Sequence, residues 1–182
     1  VSYNAAISAC EKGGQWEHAL SVLRELQGAP HLEADVVSYC AGISACNRGL
    51  QWQQALALLN LLQETTLEAD VTSYNAGISA CGNGKQWQLA LSLFRSLCRA
   101  NLEPNVISYG AAISACRSGK QWQRALSMLH NMVRNKVDAD VTCYSAGISV
   151  CETSGQWQQA LLLFRESREA NMEVGVISYN AG

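Results

Sequence analysis

Apolar and small residues recur along the chain at the spacing of an α-helix. In the segment 39–46 they stand at i, i+3, i+4 and i+7, on one helical face: Tyr39, Gly42, Ile43 and Cys46. After a break marked by Gly49, the segment 52–59 has the same spacing: Trp52, Ala55, Leu56 and Leu59. Neither helix could bury its apolar face alone, so the pattern predicts a helical hairpin that packs against other hairpins.

This pattern returns with a period of 35 residues. Tyrosines stand at 3, 39, 74, 109, 144 and 179, and tryptophans at 16, 52, 87, 122 and 157, with one additional residue in the stretch 28–31. Such a period predicts an all-α fold, an α-solenoid of stacked antiparallel helix-turn-helix repeats. We divide the single array 1–182 into repeats 1–35, 36–70, 71–105, 106–140 and 141–175, with the start of a sixth at 176–182.

The recurring tryptophans and cysteines are interpreted as packing residues. Each tryptophan begins a second helix and shares its face with the next apolar residues, which favours contacts between repeats over a stacking ladder for bases. Five of the eight cysteines occupy the same place in successive repeats: Cys10, Cys46, Cys81, Cys116 and Cys151. Stacked helices lie about 8–10 Å apart, which is too far for the disulfide limit of about 7 Å between Cα atoms. We therefore predict five buried free thiols.

The composition excludes some classes of protein. The chain is 48% hydrophobic and 15% charged, with a formal net charge of −2, so it is neither collagen-like nor disordered. It does not carry the bulk positive charge of a general polyanion binder. The charge is nevertheless uneven, at −5 for residues 1–70, +5 for 71–140 and −2 for 141–182. Apolar stretches such as 160–164 are too short to span a bilayer.

The sequence contains none of the common catalytic motifs. A Gly-rich phosphate loop, an H-E-x-x-H pair and a recognisable Ser-His-Asp arrangement are all missing. The cysteines and histidines also lack the spacing of a zinc site. We predict no enzymatic activity, no cofactor and no metal site for this chain. Val1 is not an initiator and Gly182 stops inside a recurring motif, so we expect a piece of a longer protein.

The opening motif of the repeats resembles that of the pentatricopeptide repeat (PPR) family, in its P-type-like form. It reads V-x-S-Y at 36–39, 71–74 and 106–109, and V-T-C-Y at 141–144. The tetratricopeptide repeat instead has a period of 34 and a W-x₂-L-G-x₂-Y core, whereas here the tyrosine opens the unit. The resemblance covers the whole chain and implies a segment of a right-handed superhelix.

The resemblance also implies modular reading of single-stranded RNA, one base per repeat. The residue after the tyrosine would pair with the last residue of its repeat: Asn4 with Asp35, Cys40 with Asp70, Asn75 with Asn105, Gly110 with Asp140, and Ser145 with Gly175. Asn180 opens a sixth repeat. The second residue of each repeat would sandwich the base: Val1, Val37, Thr72, Ile107, Thr142 and Ile177.

The side chains at these positions imply a degenerate code. By the family's pairing pattern, Asn4 with Asp35 is similar to a uridine reader, and Asn75 with Asn105 to a pyrimidine reader that prefers cytidine. The other three pairs depart from the favoured combinations. The thiol of Cys40 forms only weak hydrogen bonds, and Gly110 and Gly175 have no side chain to contribute. The expected target is 5′-U-N-C/U-N-N-3′, parallel to the protein chain. Phosphate contacts are expected in the basic block, at Lys85, Arg117 and Lys120.

Two classes of function follow from the resemblance. The first is sequence-selective binding of single-stranded RNA in a chloroplast or mitochondrion, in RNA processing, stabilisation, editing or translation. The second is a protein-interaction scaffold in an organellar ribonucleoprotein or a membrane-associated assembly, with a degenerate RNA-reading surface. The acidic first two repeats and the imperfect code favour the second class more than a typical family member would. The near-uniform repeats favour the first.

Overall fold

The computed structural model describes residues 3–29, 34–65, 67 and 69–169. Val1, Gly175, Ile177, Asn180 and the start of the sixth repeat lie outside the described residues. The described part contains ten helices: α1 (Tyr3–Lys12), α2 (Trp16–Gly28), α3 (Val36–Arg48), α4 (Trp52–Glu64), α5 (Val71–Asn83), α6 (Trp87–Arg99), α7 (Val106–Ala115), α8 (Trp122–Arg134), α9 (Val141–Thr153) and α10 (Trp157–Glu169).

The helices form five antiparallel hairpins arranged in two layers. The first helices of the hairpins, α1, α3, α5, α7 and α9, pack directly on one another in chain order. Each second helix packs on its own first helix, and α2, α4, α6 and α8 also pack on the first helix of the next hairpin. Because the first helices are the closely spaced layer, they line the inner side of the stack. This arrangement is the α-solenoid that the period predicts.

Acidic and amide side chains start the first helices. Asp35, Asp70, Asn105 and Asp140 are the N-cap residues of α3, α5, α7 and α9, and each accepts a hydrogen bond from a backbone N–H three residues later. The second helices begin at their tryptophans after a glutamine that makes no side-chain cap. Loss of an N-cap costs about 1 kcal/mol, so these residues stabilise the fold whatever else they do.

The hairpin turns depend on residues with left-handed backbone conformation. Leu50, Lys85 and Lys120 have φ of 57°, 60° and 52°, and two glycines occupy the equivalent place in the first and fifth hairpins. Two backbone bonds close each turn, for example Gln51 N–H to the Cys46 carbonyl at 2.8 Å. This is the geometry of a Schellman motif. The glycine expected to mark the turn, Gly49, has φ of −78° and is needed for a different reason.

That reason is the tryptophan of the preceding hairpin. A Cβ at Gly84 would lie 2.6 Å from Trp52 Cγ and 2.8 Å from Trp52 Cβ, and Gly49 meets Trp16 in the same way. Both indole rings are half-buried in this contact. The tryptophans therefore join consecutive repeats, as expected, but by lying on backbone rather than in the deep core. Trp157 on α10 is 68% exposed.

The buried core between the layers consists of three hydrophobic clusters that succeed one another along the stack. Its fully buried members include Ile43, Ile78, Leu59 and Leu97. All eight cysteines are free. Four of the five in-register cysteines are buried, whereas Cys10 on α1 is only half-buried, since no described helix precedes α1 to cover it. Within the described ranges, every helix is too short or too polar to cross a membrane.

Candidate nucleic-acid interface

The base-reading residues that the structure describes lie in a row along one edge of the first-helix layer. In the first four pairs, one member stands near the start of a first helix, and the other is the N-cap of the next first helix. We call this edge the reading end and the opposite edge, with the hairpin turns, the turn end. Because consecutive first helices stack in register, the pairs recur once per hairpin.

Asn4 and Asp35 form the first pair. Asn4 Nδ2 donates to both carboxylate oxygens of Asp35, at 3.2 and 3.1 Å. Ser38 N–H donates to Asp35 Oδ1 at 2.8 Å. The Ser38 hydroxyl lies 2.7 Å from Asp35 Oδ1 and 2.5 Å from Asn4 Oδ1, and it can donate to one of them at a time. These bonds, led by that from the Ser38 hydroxyl, hold the pKa of Asp35 below its ordinary value.

Cys40 and Asp70 form the second pair. The thiol donates to Asp70 Oδ1 at 3.8 Å and lies 3.0 Å from the Ser73 hydroxyl oxygen. Burial raises the pKa of the Cys40 thiol, although the bond with Ser73 opposes this, so the thiol is protonated at neutral pH. Burial also opposes ionisation of Asp70, but hydrogen bonds from Ser73 outweigh it and keep the pKa of Asp70 below its ordinary value.

Asn75 and Asn105 form the third pair, with Asn75 Nδ2 donating to Asn105 Oδ1 at 3.3 Å. The same Oδ1 also accepts from the backbone N–H and the hydroxyl of Ser108, both at 3.0 Å. The acceptor side of Asn105 is therefore filled, while its Nδ2 group remains as a donor. Asn75 is buried, and its Oδ1 is the single buried side-chain polar atom without a hydrogen-bond partner among the described residues.

The remaining pairs are less complete. Asp140 caps α9 through the Cys143 N–H at 2.8 Å, but Gly110 presents no side chain to it. Cys143 replaces the serine of the other junctions, and its thiol donates to the Val106 carbonyl at 3.6 Å. Burial raises the pKa of the Cys143 thiol to about 12. Ser145 lies at the equivalent position on α9, and its expected partner Gly175 is outside the described residues.

The proposed sandwiching residues face solvent beside this row. Val37 and Ile107 are 60% and 65% exposed, which is unusual for large aliphatic side chains. Thr72 and Thr142 are exposed at the same helical position. The four described residues of this set are thus all accessible to a ligand, one turn from the reading pairs.

The proposed phosphate contacts lie toward the turn end. Lys85, Arg117 and Lys120 are exposed. Lys85 and Arg117 line one cavity between α3, α5 and α7. Lys120, in the same turn as Arg117, is not part of this lining. The described residues contain no cluster of three or more His, Cys, Asp or Glu side chains that could hold a metal ion.

Sequence reasoning missed two features of this edge. The closing residue of each repeat caps the next helix, although an Asp or Asn three residues before Ser38, Ser73 or Ser108 is a readable N-cap signal. The serine itself belongs to the pair, because its hydroxyl bonds the capping side chain. A serine at this position could have been recognised by its recurrence alone.

The fold and the row of polar pairs define a helical-repeat protein with a modular inner edge. A PPR repeat family model matches residues 69–118, and a PPR repeat model matches residues 1–29 and 107–137, together more than half of the chain. The chain belongs to the PPR repeat family. A comparison with curated proteins gave no match.

Solved structures share the fold. PPR10 in complex with an 18-nucleotide psaJ RNA element superposes with a TM-score of 0.86 at 21% identity, over 98% of this chain and 26% of that one. PPR10 from maize gives a TM-score of 0.70 at 27% identity, over 100% of this chain and 26% of that one. The PPR domain of Arabidopsis thaliana protein-only RNase P 1, in complex with tRNA, gives 0.78 at 14% identity, over 98% and 96%. This chain thus spans about a quarter of the PPR10 chain.

Proposed function

We propose that this chain binds single-stranded RNA along the first-helix layer, with the bases at the reading end. The observation that carries the proposal is the row of paired polar side chains, repeated from junction to junction and flanked by exposed Val37, Thr72, Ile107 and Thr142. Exposed aliphatic groups can cover the faces of a base while polar groups read its edge. The matches to structures of RNA complexes support the same assignment.

The hydrogen bonds at each junction suggest which base it prefers. Asp35 is ionised and offers only acceptors, which suits the N3–H donor of uracil. Asn105 has its oxygen occupied and offers its Nδ2 donor, which suits the N3 acceptor of cytosine. At the junction of Gly110 with Asp140, only the Asp140 side chain can hydrogen-bond to a base, so we expect little base preference there.

Binding to short RNAs with permuted bases tests the proposal. We expect tightest binding to 5′-U-N-C/U-N-N-3′, with the protein running parallel to the RNA, and a loss of about fivefold to a hundredfold for a wrong base at the first or third place. Changes at the fourth place should have little effect, and this place is the internal control. Equal affinity for every sequence would overturn base reading.

We further infer that the RNA partner is an organellar transcript, acted on in processing, stabilisation, editing or translation. The competing function is a protein-interaction scaffold, which the thiol of Cys40, the missing side chain at Gly110 and the acidic repeats 1–70 favour. A salt titration with labelled RNA separates the two. Affinity that falls steeply with salt supports RNA binding, whereas no binding at the lowest salt supports the scaffold.

A further inference from the structure

A polar cavity of about 540 Å³ lies on the first-helix layer between α3, α5 and α7. Lys85 and Arg117 line it, together with the hydroxyl-bearing Ser79, Ser114 and Ser118. Small residues provide the space: a Cβ at Gly82 would lie only 3.1 Å from the Ala115 Cβ, so the helices approach closely beneath the cavity. The walls thus offer cations and hydroxyl donors around an open centre.

The cavity is continuous with the reading end. On α5, Ser79 and Asn83 follow Asn75 at i+4 and i+8, so the three residues lie on one face of the helix. On α7, Ser114 follows Gly110 at i+4, and Ser118 lies in the turn that follows this helix. Eight residues of helix span about 12 Å, so the stripe leads from the proposed base contacts into the cavity. Asn83 Nδ2 also bonds Asn47 Oδ1 at 2.8 Å, which ties the stripe to α3.

The positive charge here is not neutralised by neighbours. Segments 71–102 and 104–137, which form the hairpins of α5 to α8, contain no aspartate or glutamate. On α3, by contrast, Arg48 Nε lies 3.6 Å from Glu11 Oε1. At the position of Arg117, the fifth hairpin has Glu152 instead. Lys85 and Arg117 therefore have no acidic residue on the hairpins of α5 to α8 to offset their charge, which favours binding of an anion in this cavity.

We propose that this cavity binds a backbone phosphate of single-stranded RNA, the one that joins the third and fourth nucleotides of the bound strand. Lys85 and Arg117 supply the opposing charge, and Ser79 and Ser114 supply hydroxyl donors. This inference rests on the proposed function and adds a binding site to it. An acidic peptide would also be attracted by charge, but the continuous stripe from Asn75 favours a polynucleotide over a peptide.

The first test compares two double variants that remove the same charge. In Lys85→Gln/Arg117→Gln the cavity loses both cations. In the control, Arg95→Gln/Arg165→Gln, two exposed arginines on the second helices α6 and α10 are replaced. We expect the cavity variant to lose roughly tenfold in affinity for labelled RNA, with the slope of log Kd against log salt reduced by about 1. The control should change both much less, and equal effects in the two variants would overturn the proposal.

The second test separates this inference from base reading. A strand with a neutral methylphosphonate between nucleotides three and four should bind the wild-type protein roughly fivefold more weakly, and should bind the cavity variant unchanged. An equal loss in both proteins would overturn the phosphate site.

An abasic ribose-phosphate strand should still bind weakly, in a manner that depends on Lys85 and Arg117. If the protein showed no base preference but still needed Lys85 and Arg117 to bind the abasic strand, the reading code alone would be rejected. If it bound a polyglutamate peptide but not the abasic strand, the phosphate site would be rejected.

Discussion

At their turn ends the first helices repeat the residues that pack against the core and the preceding tryptophan, whereas at their reading ends the residue after the tyrosine differs between hairpins. The turn end repeats a buried or half-buried cysteine in every hairpin and, in the second, third and fourth hairpins, a glycine under the preceding tryptophan; the fifth has Ser154 at that place. The reading end has five residues of four kinds at the equivalent place: Asn4, Cys40, Asn75, Gly110 and Ser145. Both ends belong to the same helices and the same layer.

The difference follows from what each end contacts. At the turn end of the second, third and fourth hairpins, indole and backbone meet without space for a Cβ, so packing dictates the residue there. At the reading end, the variable side chain faces the capping side chain of the next first helix instead of backbone, so the packing accepts side chains of different kinds. Positions that packing does not restrict, such as the one after the tyrosine, are those at which a repeat protein can encode its partner. Three substitution experiments test this contrast.

The largest effect is expected from adding one methyl group at the turn end. Gly84→Ala would force the Trp52 ring to move, because the new Cβ would overlap it, and should lower the free energy of unfolding by about 1–3 kcal/mol. Gly110→Ala is the matched control at the reading end, where the Cβ would meet Cys143 Sγ at an ordinary 3.5 Å. It should be neutral or stabilising by up to about 1 kcal/mol, since alanine favours helix. Urea denaturation measures both, and equal losses would contradict the contrast.

A smaller effect is expected when the incomplete junction is rebuilt as a copy of the first. Gly110→Asn/Cys143→Ser would place Asn, Asp140 and Ser in the arrangement of Asn4, Asp35 and Ser38. We expect the fourth RNA position to acquire a preference for uridine of roughly tenfold, because the new amide and carboxylate can read a base edge. Binding to RNAs that differ at this position measures it, with Cys143→Ser alone as the control. An unchanged preference would show that the pair is only a helix cap.

The smallest effect is expected from the cap itself. Asp35→Ala should destabilise by about 1 kcal/mol, whereas Asp35→Asn should retain the cap. Because the folded pKa of Asp35 lies below its ordinary 3.8, its contribution is present above that pH and is lost as pH falls through the folded pKa. The wild type should therefore lose more stability than Asp35→Asn below about pH 4. Denaturation between pH 2 and 7 measures this, and parallel curves would exclude a role for the carboxylate charge.

The architecture could be predicted because helical packing imposes a period on the sequence. The spacing of tryptophans and tyrosines sufficed for the hairpins, and Ile43 and Leu59 lie in the core as their helical faces predict. The turn chemistry was not readable, because Leu50 and Lys85 adopt left-handed conformations that a sequence pattern would assign to glycine. The contact of Asn4 with Asp35, 31 residues apart, came from a family resemblance rather than from spacing. The cavity depends on how neighbouring helices meet, which no single repeat encodes.

The N-cap position of Asp35 has a consequence for recombining these repeats. A cut between residues 35 and 36 leaves the aspartate with α1 and α2 but removes it from α3, the helix whose first turn it completes. A transplanted 35-residue block would thus begin with a first helix that lacks its own N-cap. Its closing residue would contact a serine of the recipient protein instead of its own. Exchange of specificity between such proteins should succeed when the transferred cassette begins inside one first helix, ahead of Asn4 or its counterpart, and ends beyond Ser38 or its counterpart in the next.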